Sequence, residues 1–150
     1  MSAQANDKLR ERLIGTWKLV SAVREDIPSG EKAPFLGENP TGFLHYMADG
    51  RMLAMITRAG RKPPAGNVAT ASEAEGLIRS MIAYGATFEC KGDKVLHHCD
   101  VSWNEKFTGT VQTRKVAFEG HRLTLSPPPS ADPLDGRMSV RRLTWERVRV

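Results

Sequence analysis

The chain has 150 residues, 40% of them apolar and 26% charged, enough to bury a core of its own without a disulfide or metal staple. No run of about 18 apolar residues occurs, which excludes a helical membrane span. Twenty-two Lys and Arg against 17 Asp and Glu leave a net +5, spread along the chain except over 137–149, where five arginines meet one acid, Glu146. That balance suits an anionic ligand or weak nonspecific nucleic-acid contact, and it specifies neither.

Residues 1–150 read as one domain. The opening MSAQANDKLRERL is polar where a secretory signal would be apolar, so no export is expected and the cytoplasm is the expected compartment. Cys90 and Cys99 alone cannot build a four-cysteine zinc site, and they suit a reducing environment.

Alternating hydrophobicity cut by turn signals predicts eight strands, near 15–25, 41–47, 51–57, 85–91, 94–103, 109–119, 122–126 and 139–149. Between the third and fourth, Ser72 and Glu75 form a capping box for a helix over 72–84, with Leu77, Ile78, Met81 and Ile82 as its apolar stripe. This helix is expected to cover part of a barrel, with loop 58–71 as the gate.

Three turns set registers. A three-residue Ala48-Asp49-Gly50 loop would pair Tyr46 with Met52 and Leu44 with Ala54, sending His45 to solvent. A two-residue reading would instead turn Phe43, His45 and Met47 inward; the first is preferred because it buries the more apolar set. Gly92-Asp93 pairs Cys90 with Val95, Phe88 with His97 and Ala86 with Cys99, leaving the cysteines too far apart along the ladder for a disulfide. Gly120-His121 pairs Phe118 with Leu123 and Val116 with Leu125, so Gln112 and Arg114 point inward by parity.

Pairing of the last strand with the first would remove both sheet edges. It would also bring Arg147, which shares a face with Leu143 and Trp145, over the indole of Trp17. Gly15-Thr16-Trp17 with a late arginine resembles the Gly-x-Trp signature of lipocalins and the wider calycin group. A closer resemblance is to the bacterial and fungal lipocalin-like domain family, carried by GTWKLVS at 15–21, PTGFLHYMADGRM at 40–52, AYGATFE at 83–89, VLHHCDVSWNEKFTGTVQTRKV at 95–116 and LTWERV near the end. Ala86 stands near a position where that family commonly has glycine. The resemblance implies an all-β, eight-stranded up-and-down antiparallel barrel, and binding of a small molecule with no shared reaction.

Eight strands leave an interior either filled by side chains or just wide enough for one small ligand. A filled barrel would act through its surface or as a homo-oligomer such as a homodimer, with an exposed apolar patch. The inward set, however, contains groups that a purely structural core avoids. Tyr46, Met52, Tyr84, Phe88, His97, Trp103, Gln112 and Arg114 are therefore the candidate ligand contacts. The series Val95, His97, Cys99, Val101 and Trp103 is read as inward along its strand.

His97 would either bond quietly to Tyr84 or another wall residue, contact the ligand, or move a proton. Arg114 would either anchor a carboxylate, enolate or carbonyl, or plug one barrel end. The expected partner is a small hydrophobic or amphipathic molecule, with no specific nucleic acid. No cofactor is expected: His97, His98 and Cys99 alternate faces and cannot form a metal cluster, and nothing but scattered arginines would hold haem propionates. The alternative is a cyclase or isomerase with a His or Tyr acid–base group, for which no catalytic residue is assigned beyond His97 and Tyr84.

Overall fold

A computed structural model describes residues 2–131 and 136–149. In chain order the elements are α1 (Ala3–Leu13), β1 (Gly15–Asp26), β2 (Lys32–Pro34), β3 (Thr41–Tyr46), β4 (Arg51–Thr57), α2 (Ala71–Arg79), β5 (Met81–Lys91), β6 (Lys94–Ser102), β7 (Val111–Glu119), β8 (Arg122–Ser126), β9 (Ser130–Ala131) and β10 (Met138–Arg147). A single 3-10 turn, Glu105–Phe107, follows β6. No helix among the described residues is long and apolar enough to cross a membrane.

Eight strands form an antiparallel up-and-down sheet in the order β1-β3-β4-β5-β6-β7-β8-β10, and β10 pairs back onto β1 to close a barrel. The short β2 and β9 extend it at β1 and β10. All three turn registers are observed: Tyr46 faces Met52, Phe88 faces His97, and Phe118 faces Leu123. In each pairing the inward residues are mostly apolar, with His97 the buried polar exception in these three pairs, so a one-residue slip would expose the apolar set to water. Closure places Trp17 opposite Arg147, with the guanidinium carbon 4.2 Å from the indole centroid.

The tight turns after β3, β5 and β7 cluster at one end of the barrel, and α1 closes that end. Leu13 at the helix C-terminus is fully buried, and its carbonyl accepts the Trp17 indole N–H at 2.8 Å. Arg147 donates to the carbonyls of Ile14 and Arg12, which the helix end leaves without intrahelical partners. Gly15 sits between these groups with φ 136°, and a Cβ there would meet the Arg147 guanidinium at 2.7 Å. That close approach explains why glycine precedes Thr16-Trp17. Along the helix, Arg10 and Arg12 lie over the rings of Phe88 and Phe118.

The structure departs from the sequence reading at several points. The N-terminal segment is a helix, although its sequence shows only Leu9 and Leu13 as an apolar pair four residues apart. Helix α2 is capped by Thr70 and Glu73, not by Ser72 and Glu75, and it ends at Arg79. Met81 and Ile82 belong to β5, where they pair with Thr57 and Ile56. Because Ile56 offers a strand partner inside the barrel, tertiary pairing overrides the helical spacing of those two residues. Val101 lies on the outer surface, because a register shift between Gly85 and Ala86 places it opposite Gly85 and reverses the alternation of β6.

Helix α2 buries none of its residues, so it does not cover the barrel as expected. Thr70→Ala removes one half of its capping box, a cost of about 1 kcal/mol. The expected result is faster hydrogen exchange at the amides of residues 74–79 with an unchanged urea midpoint for the whole protein. A lowered global midpoint would show that α2 belongs to the cooperative core.

Candidate functional site

Away from α1 the barrel interior opens into a cavity of about 450 Å³. Leu44, Ala54, Ile56, Ile82, Leu125 and Leu143 supply apolar wall, while Trp103 and Phe107 pack together at its edge with centroids 4.9 Å apart. Phe35 and the Pro127–Pro129 run complete the rim. Loop 58–71, read from the sequence as a gate, contributes no lining residue.

At mid-depth His97 is 1% exposed and has both ring nitrogens occupied. Nε2 lies 2.7 Å from the Tyr46 hydroxyl and Nδ1 lies 2.8 Å from that of Tyr84. Burial, reinforced by the neighbouring Arg114 charge, pushes its pKa down to about 3, so the imidazole is neutral near pH 7. Burial pushes both tyrosine hydroxyls up, and they remain protonated.

Counting donors then assigns the direction of this chain. A neutral imidazole has one N–H and one acceptor nitrogen. Tyr46 is 1% exposed with His97 as its hydrogen-bond partner, so its O–H is satisfied only by donating to Nε2. The proton therefore resides on Nδ1 and is donated to the Tyr84 oxygen, which leaves the Tyr84 O–H as a donor facing the cavity.

Of the expected contacts, Tyr84, His97, Trp103, Gln112 and Arg114 line the cavity. Tyr46, Met52 and Phe88 lie in the packed floor beneath it, where Tyr46 meets Phe88 edge-on with centroids 4.8 Å apart. The interior is thus filled toward α1 and open at the other end. His45, expected in solvent, is half-buried and its Nδ1 lies 3.0 Å from the Thr16 hydroxyl. Cys90 and Cys99 are separate buried thiols, with Cys90 pushed up to about 11 by burial.

Sequence reasoning passed over Arg141 and Trp145 as site residues, although both line the cavity. The signal was present. Arg141 shares parity with Leu143, Trp145 and Arg147 along β10, so the same alternation that placed Arg147 over Trp17 aims Arg141 inward.

The sequence of residues 14–148 matches the lipocalin-like domain over nearly the whole barrel. The chain belongs to the lipocalin-like domain family. No curated relative matches it. Within this lipocalin-like fold the Gly-x-Trp segment and Arg147 hold the end sealed by α1, and the cavity occupies the other end. The outer surface of the same lipocalin-like barrel carries a second apolar feature, a shallow strip of Phe43, Leu53, Met55 and Val101 across β3 to β6.

Proposed function

We propose that this lipocalin-like chain binds a small, largely apolar molecule bearing a polar group inside the barrel. The observation that carries this reading is the cavity itself: about 450 Å³, walled by aliphatic and aromatic side chains, with the Tyr84 hydroxyl, Gln112 and Arg114 gathered among them. Apolar contact supplies affinity, and the few polar groups orient the guest. Binding accounts for the site better than acid–base turnover does. His97 has no free nitrogen to offer a substrate, and a base with a pKa near 3 takes up protons poorly at neutral pH.

Ala54 faces the cavity between Leu44 on β3 and Tyr84 on β5. Ala54→Phe places a ring in the space reserved for the guest. Titration with the neutral fluorophore N-phenyl-1-naphthylamine is expected to show saturable enhancement with the natural protein and at least about ten-fold weaker binding with the variant. The variant should keep its urea midpoint, since the ring enters open space and not a packed core. Equal affinity in both proteins would place the probe elsewhere and remove the cavity from the account.

A further inference from the structure

The charged groups that line the cavity have one sign. Arg114 and Arg141 both line it, and among the described residues no aspartate or glutamate does. The one buried acid among the described residues, Asp26, is engaged by Arg24 and Arg137 at 3.2 and 3.1 Å. Arg114 donates to the carbonyl of Thr113, a neutral acceptor. Arg141 stacks on Phe35 at 4.5 Å, while its buried Nε has no hydrogen-bond partner among the described residues. The Trp145 indole N–H, on a side chain 2% exposed, is likewise without a partner there.

The sheet brings the two arginines together. Lys115 pairs with Ser126 and Leu143 with Leu125, so continuing those registers by one and two residues sets Arg114 and Arg141 on either side of Pro127. Two strand spacings separate their Cα atoms by roughly 10 Å, so one anion in the cavity could be reached by both long side chains, which now rest on Phe35 and on the neutral Thr113 and Tyr84 oxygens. Guanidinium groups held partly out of water with no counter-charge among the described residues cost free energy that an anion would return.

We infer that the guest is an anion: a hydrophobic carboxylic acid whose carboxylate sits between Arg114 and Arg141, with the Trp145 N–H as a further donor. This rests on the cavity being the binding site and adds to it the class of ligand. The aliphatic tail lies along Leu44, Ile56 and Ile82, away from the arginines.

The test uses decanoate and 1-decanol, equal in chain length and differing in charge, each displacing N-phenyl-1-naphthylamine at pH 7.5. Decanoate is expected to displace the fluorophore at a concentration at least about ten-fold lower than the alcohol. In Arg114→Gln and in Arg141→Gln that ratio should fall toward one, with Arg114→Lys recovering part of it. Lys115→Gln, which removes the same charge from the outer face of the same strand, should retain the full ratio. Circular dichroism melts confirm that each variant is folded. Equal displacement by acid and alcohol in the natural protein would overturn the anionic guest while leaving the cavity reading intact. Failure of the fluorophore and both decyl compounds to bind would overturn both.

Discussion

Trp17→Ala is expected to destabilise the protein by about 3–5 kcal/mol, as truncation of a large buried aromatic does. The residue is 1% exposed, donates to the Leu13 carbonyl, and carries the Arg147 guanidinium on its face. Its loss therefore opens a void where α1, β1 and β10 meet, and leaves a helix-end carbonyl unsatisfied. Arg147→Ala should cost less, since it removes a cation–π contact of about 0.5–2 kcal/mol and two donors to helix-end carbonyls. Urea denaturation measures both. A loss under about 1 kcal/mol for Trp17→Ala would contradict a closed end held by this residue.

The second large effect is a pH dependence. Folded His97 stays neutral down to about pH 3, whereas an unfolded histidine takes up a proton near 6.5. Between those values the unfolded chain binds more protons, so stability falls as pH is lowered, by up to about 1.4 kcal/mol per unit. From pH 6 to pH 4 the contribution is roughly 2–3 kcal/mol. Carboxylates with lowered pKa values, such as Asp100 beside Arg51, also lose stabilisation in acid, so the informative quantity is a difference. His97→Gln keeps a donor and an acceptor for Tyr46 and Tyr84 but does not titrate in this range. Its stability should decline less steeply from pH 6 to 4 by that amount, and parallel curves for the two proteins would refute the buried neutral imidazole.

Much of the fold was legible because it depends on turn chemistry and alternation. Gly50, Gly92 and Gly120 adopt positive φ at the three hairpins, and from them the pairings of Tyr46, Phe88 and Phe118 follow. What was not legible depends on tertiary context. Helix α1 is stabilised by Leu13 entering the barrel and by Arg147 from the far end of the chain, neither of which leaves a local pattern. The start of β5 reads as helix because Met81 and Ile82 continue the spacing of Leu77 and Ile78, and only the partner strand decides otherwise.

The candidate site divides in the same way. His97, Gln112 and Arg114 were placed inward by parity alone, and they line the cavity. The depth at which packing stops and open space begins could not be read from alternation, which is why Tyr46, Met52 and Phe88 were grouped with them. Arg141 and Trp145 follow the same rule: one face of β10 both closes the barrel through Arg147 and lines the cavity.

The most direct test of the central claim is a crystal structure of the protein soaked with N-phenyl-1-naphthylamine. The account predicts the fluorophore inside the barrel, in contact with Trp103 and Leu125 and within reach of the Tyr84 hydroxyl. Density for the probe on the outer strip of Phe43, Leu53, Met55 and Val101, with the interior closed by its own side chains, would contradict it.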